Sequence, residues 1–230
     1  MSAHKNEETV VEKDVLLQAQ SIWQKNKKTI IIALTALIVI VGGWYSYINL
    51  IVKPKEEKAQ EVIYKAEEYF RKDSFNLALN GDGIAKGFLY IEKNYSGTKA
   101  ANLSKYYAGV CYLQTGEFQK AIDQLKDFST SAKQIQTSAY GILGDAYSEL
   151  KKNDEAIEYY KKAGSNFEED AAASAEYLFR AAALSKVNGK TQQALELYKT
   201  IKEKFPKVDN GRSDKYIYQL SIEKNDLSIN

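Results

Sequence analysis

Cys111 and His4 are the single cysteine and the single histidine of the chain, so a nucleophile–base couple of the Cys–His type has only these two residues to draw on. Their surroundings speak against it. His4 stands in a polar stretch of mixed charge, residues 1–14, whose composition predicts a disordered arm, and a histidine there is a solvated side chain rather than a ligand. Cys111 precedes Tyr112 in a stretch that reads as a packed helix, where a cysteine is a small core residue. One cysteine also excludes an intramolecular disulfide. The run Asn80-Gly81-Asp82-Gly83 opens like a calcium loop but lacks the further acids of one, so it predicts a turn. The sequence holds no phosphate loop and no metal-spaced cluster, and although acids are plentiful, no spacing singles out a catalytic pair. The expectation is a protein that is not an enzyme and uses no cofactor or metal. A net charge of +2 over 230 residues gives no reason to expect nucleic acid or an acidic membrane surface either.

The chain is organised around residues 29–52, TIIIALTALIVIVGGWYSYINLIV, which hold no charged side chain. As a helix such a run crosses a hydrocarbon core of roughly 30 Å. Trp44, Tyr45 and Tyr47 cluster in its second half, where an aromatic belt meets the headgroups. Before it, Val15, Leu16, Ala19, Ile22 and Trp23 fall at helical spacing. They predict either a short amphipathic helix on the membrane surface, with Trp23 as its anchor, or an N-terminal extension of the span. A cleaved signal peptide ending at Val41-Gly42-Gly43 is the rival reading. The long polar segment ahead of the run, and the apolar Ile48, Leu50, Ile51 and Val52 beyond the cut, favour an uncleaved anchor. Lys25, Lys27 and Lys28 on one side nearly balance Lys53, Lys55 and Lys58 on the other. Length tips the orientation: a short arm, residues 1–28, stays in the cytoplasm and the large region 53–230 is translocated.

That second region is rich in Ala, Lys, Glu, Leu and Tyr, with only Pro54 and Pro206 as breakers, and predicts an all-α fold. It repeats itself. Gly109, Tyr112, Ala121 and Leu125 recur about 35 residues on as Gly144, Tyr147, Ala156 and Tyr160, and after a slightly longer interval as Ala182, Ser185, Ala194 and Tyr198. The expected division is a degenerate hairpin over 55–95 whose second helix runs from about Ile84 to Asn94, repeats at about 102–135, 137–170 and 175–208, and a capping helix near 213–224. Small residues at 109, 144 and 182 are expected to let the first helix of each pair approach the second, with Ala121, Ala156 and Ala194 facing them. Gly116, Asn153 and Gly189 mark the turns, where positive φ or capping is needed.

Tyr140, Leu143, Gly144, Tyr147, Ala156 and Tyr160, with Pro206 closing the third copy, resemble the tetratricopeptide pattern. The resemblance implies a curved stack of helix pairs whose first helices line a groove. Its lining here would be Leu103, Tyr106, Val110 and Leu113, then Ser138, Gly141, Asp145 and Glu149, then Glu176, Phe179, Ala183 and Lys186. These positions lack the Lys and Asn cluster that clamps a peptide's terminal carboxylate. Taken whole, the basic flank at Lys25–Lys28, the 29–52 span and the Gly109/Tyr112/Ala121 and Gly144/Tyr147/Ala156 series resemble the YfgM-type ancillary subunits of the bacterial Sec translocon. What that resemblance implies is a single-pass protein of the bacterial inner membrane with periplasmic repeats. It would associate with the SecYEG translocon and a PpiD-like membrane-anchored chaperone, and assist exported nascent chains leaving the channel.

Overall fold

A computed structural model describes residues 3–223, with the side chains of 3–16, 18, 19 and 22 outside the described residues. His4, Val15, Leu16, Ala19 and Ile22 therefore fall outside it as side chains, as does the last residue of the expected capping helix, Lys224. The chain divides into two compact units, Met1–Lys55 and Glu56–Asn230.

In the first unit, α1 spans Ala3–Tyr47. The predicted disordered arm is thus helical from Ala3, and the segment before the span is the extension rather than a separate surface helix. The physical reason is cooperativity: an apolar helix already nucleated propagates into Lys-, Glu- and Gln-rich sequence without a second nucleation cost. Most apolar residues of the span are exposed, among them Ile38, Leu50 and Trp44, which is 67% accessible. Two of its polar side chains bond to the helix's own backbone, Thr35 Oγ1 donating to the Ile31 carbonyl at 2.8 Å and Asn49 Nδ2 to that of Tyr45 at 2.8 Å. With an 18-residue window of mean hydropathy 2.0, this is the one helix among the described residues long and apolar enough to cross a membrane. One π turn, Ile48–Val52, follows, closed by the Lys53 N–H on the Ile48 carbonyl. It ends two residues before Pro54, whose missing N–H and ring would disturb an unmodified α-helical turn at that point.

The second unit is all-α among the described residues. α2 (Lys53–Arg71) brings Ala59, Ile63 and Ala66 into its core. Next come α3 (Phe75–Asn80), α4 (Phe88–Asn94), α5 (Lys99–Gln114), α6 (Phe118–Lys126), α7 (Lys133–Glu149), α8 (Asn153–Asn166), α9 (Ala171–Val187), α10 (Thr191–Lys204), α11 (Pro206–Asp209) and α12 (Asp214–Glu223). From α5 to α10 each helix packs on the next, and α12 packs on α10.

Four turns in this unit are built alike. Asp73, Gly116, Lys151 and Gly189 have positive φ, at 54°, 79°, 59° and 71°. After each, the next N–H reaches back to the carbonyl five residues earlier: Ser74 to Tyr69, Glu117 to Tyr112, Lys152 to Tyr147 and Lys190 to Ser185, at 2.8–3.0 Å. The carbonyls of these same four residues then accept from Ala78, Ala121, Ala156 and Ala194, all fully buried. The arrangement satisfies the helix-end carbonyls and starts the next helix in one step. The turn between α7 and α8 is therefore made by Lys151, not by Asn153, which is already helical and donates its Nδ2 to Asn188 Oδ1 at 2.8 Å in the following turn.

The close approach of paired helices is also specific. An added Cβ at Gly109 would lie 2.4 Å from Leu125, and one at Gly144 2.5 Å from Tyr160. The side chain received by the small slot is thus the one four positions after the repeated alanine, not the alanine itself.

The first hairpin departs from the rest at its second helix. α3 stops at Asn80 and α4 starts only at Phe88, so Ile84, expected to open that helix, stands outside it and is 91% exposed. Gly81 pairs antiparallel with Lys86 in an isolated bridge, and Asp82 Oδ1 accepts from the N–H groups of Ile84 and Ala85 at 2.9 and 2.6 Å. These side-chain-to-backbone bonds compete with helix and win.

Candidate protein-binding surface

The first helices of successive pairs, α5, α7 and α9, carry the expected groove positions, and the structure divides them by chemistry. On α5, Leu103, Tyr106 and Leu113 are half-buried and pack against the core, with Val110 half-buried beside them. Tyr106 Oη shares a hydrogen bond with Ser138 Oγ of α7 at 2.9 Å, and its ring lies against Tyr107 and Phe128. Tyr107 in turn stacks on Phe88 at 5.0 Å and meets Phe70 at 4.9 Å. At the expected positions on α5 the surface is thus half-buried and partly aromatic.

At the expected positions on α7 and α9 the side chains form ion pairs. Asp145 accepts from Tyr160 Oη at 2.7 Å and pairs with Arg180 Nη1 at 3.1 Å. Arg180 also reaches Glu176 at 3.4 Å, and Glu176 pairs with Arg212 at 3.1 Å. The row alternates in sign, and its members are all partly exposed, so each pair contributes about 0.2–1 kcal/mol. Burial and Asp145 together raise the pKa of Tyr160, which keeps its O–H as the donor in this row. Phe179 is 9% exposed, packed edge-on to Tyr198 and Tyr216 and covered by the Arg212 guanidinium at 3.6 Å. It presents little surface to a ligand. Lys186 lies over Tyr216 at 5.6 Å and approaches Gln219 at 3.4 Å, while Glu149 is exposed. Gly141 is where Tyr177 seats, its ring 2.3 Å from an added Cβ.

Tyr177, Arg180 and Arg212 were not among the expected lining residues. The sequence held a signal for two of them. Arg180 lies 35 residues after Asp145, and Arg212 lies 36 after Glu176, one repeat period in each case. Lys133 with Glu169 and Lys204 with Glu168 bridge neighbouring repeats at 36 in the same way. Opposite charges one period apart are the mark of cross-repeat pairing.

Cys111 is fully buried, and burial pushes its thiol up to about 12, which removes the one thiol as a nucleophile near neutral pH. Among the described residues no three His, Cys, Asp or Glu side chains converge as a metal site would need.

Residues 142–169 and 176–207 match the tetratricopeptide repeat family. They cover α8 and α10, most of α9 and the second half of α7 from residue 142. The hairpins of α2–α3 and α5–α6 lie outside the match but share its turn. Among solved structures, the crystal structure of MamA protein is similar at TM-score 0.51 and 18% identity, over 74% of this chain and 84% of that one. The nearly identical TPR-like repeats of a putative kinesin light chain from Podosopora anserina are similar at TM-score 0.50 and 13% identity, over 75% and 89%. At these identities the likeness is one of fold. No curated protein compared with the chain matches it. Repeats of this kind serve as protein-interaction scaffolds, and this chain carries such a scaffold.

Proposed function

We propose that the protein is a membrane-anchored scaffold of the bacterial envelope, an accessory subunit of the Sec translocon whose periplasmic repeats receive exported chains at the channel exit. The observation that carries this reading is the pairing of one charge-free, largely exposed run, 29–52, with a helical unit from Glu56 onward that contains the matched repeats. Exposed apolar surface on that scale is unfavourable in water and favourable in a bilayer. Once α1 is inserted, the short connection holds the repeats where chains emerge, at high effective concentration, so weak contacts suffice. The half-buried aromatic lining of α5 suits transient capture of unfolded apolar segments, and the alternating charges of α7 and α9 suit extended polar ones. The SecYEG channel and a PpiD-like membrane-anchored chaperone are the partners that the resemblance to YfgM-type subunits supplies.

The test is purification of the tagged full chain from membranes in mild detergent. Recovery of SecY together with the membrane-anchored chaperone is the expected result. Recovery of one dominant envelope protein without SecY would replace the translocon reading with that of a dedicated adaptor. Photoreactive groups at Tyr106 and Glu149 sharpen the outcome: a translocon factor captures many nascent chains, an adaptor one species.

A further inference from the structure

The first hairpin carries a cavity of about 450 Å³ that the docking surface does not use. Lys58, Lys65 and Lys86 line it with Glu61, Tyr95 and Ile84. Lys65 is shared with Glu68 at 2.9 Å, and the Lys86 ammonium lies over the Tyr90 ring at 5.1 Å. Among the described residues no carboxylate pairs with Lys58 or Lys86. Beside these ammonium groups stands Ile84, 91% exposed and the most exposed large apolar side chain described. It is held out, since Asp82 fixes the backbone on either side of it and Tyr69 Oη donates to the other Asp82 oxygen at 2.7 Å. A fixed turn that presents isoleucine to solvent gains nothing for the fold.

We infer that this cavity binds the headgroup of an anionic phospholipid, with Ile84 entering the bilayer interface beside it. Three features favour a lipid surface over a soluble acidic partner. Lysines at a membrane surface are drawn to anionic headgroups, and a single exposed isoleucine adds apolar contact just below them. Tyr90 and Tyr95 belong to the residue type enriched at that depth. Lys58 follows the last residue of the charge-free run by six positions, so chain length alone keeps it within about 20 Å of the end of that run. The inference rests on the reading of α1 as a membrane anchor.

The test uses the full chain with Ile84→Cys, labelled with an environment-sensitive dye and reconstituted in nanodiscs; Cys111 is buried and stays unlabelled. In discs containing phosphatidylglycerol the emission should shift to the blue and be quenched by nitroxide lipids, whereas in pure phosphatidylcholine discs it should stay water-like. Lys58→Gln with Lys86→Gln, both at exposed positions, should lower the docked-to-free ratio about 25-fold, about fivefold for each lysine. Millimolar glycerol 3-phosphate should leave the label water-like in neutral discs; a blue shift there would assign the cavity to a free phosphate ester and overturn the lipid assignment. Equal emission in the two kinds of disc, or an unchanged double variant, would also overturn it. Co-migration of the chain with neutral discs reports insertion of α1 separately, so the anchor reading and the headgroup site can fail independently.

Discussion

The hairpin of α7 and α8 and the one that begins with α2 turn through the same backbone hydrogen bonds, at Lys151 and at Asp73, yet only the first continues into an unbroken second helix. In the regular pair, Gly144 receives the Tyr160 ring. One repeat earlier Gly109 receives Leu125. Carried back to the first hairpin, the small slot is Ala66 and the large one falls at Asp82, inside the break between α3 and α4. No bulky side chain has to fit there, and the slot tolerates a methyl group. The difference teaches that the backbone turn is the invariant of this stack, while the pairing of small and large slots is kept only where the second helix is complete. It also explains how the first hairpin is free to expose Ile84: its chain between residues 80 and 88 is released from helix packing.

Variants can break this comparison at either end. The largest effect is expected at Phe88→Ala. Phe88 restarts the interrupted helix, is fully buried, and packs on Phe70 and Tyr107, so its loss should cost about 3–5 kcal/mol in denaturant unfolding of the full chain in detergent. Gly144→Ala comes next, at about 1–3 kcal/mol, because its Cβ meets the Tyr160 ring at 2.5 Å. The first hairpin already holds alanine in this slot, and a Gly144→Ala variant as stable as the parent would show the two pairs to be packed alike.

A smaller, local effect should follow acidification of the break. Hydrogen bonds from Tyr69 Oη and from the N–H groups of Ala85 and Ile84 hold the Asp82 carboxyl below the usual carboxylate range. A pKa lowered on folding contributes order that is fully present above the ordinary value of about 4 and is lost as pH falls through the folded value. Amide exchange at Ile84 and Ala85, corrected for its intrinsic pH dependence, should therefore speed up below pH of about 4. It should already be fast at neutral pH in Asp82→Ala, while the turn at Lys151 is unaffected. The smallest change is a gain. Lys151 holds φ at 59° with a side chain that disfavours it, so Lys151→Gly should stabilise the α7–α8 turn by about 0.5–1 kcal/mol, measured in the same unfolding experiment.

Much of this stack was legible in the sequence because the repeat is written in small and aromatic side chains. Gly109, Gly144, Ala121, Ala156 and Ala194 marked the helix pairs and stand where tight packing demands them. Lys151 was missed because nothing in a lysine announces positive φ, whereas Gly116 and Gly189 do. Ile84 was expected to open the second helix of the first hairpin. The bonds of Asp82 and the Gly81–Lys86 bridge, which keep it out of a helix, are invisible to periodicity. The ionic row over α7 and α9 was half legible: Asp145 and Glu176 were placed in the lining, but their partners required reading charge at one repeat period. At the other end, the helical start of α1 depends on propagation from the span, which composition within residues 1–14 does not reveal.

The central claim is that α1 stays in the bilayer and holds the repeats on its outer side. Protease treatment of spheroplasts producing the full chain with a C-terminal tag, followed by alkaline carbonate washing of untreated membranes, tests it most directly. The account predicts that external protease removes the tag while the intact chain resists the carbonate wash. A tag digested only after the inner membrane is lysed, or a chain released by carbonate, would contradict it.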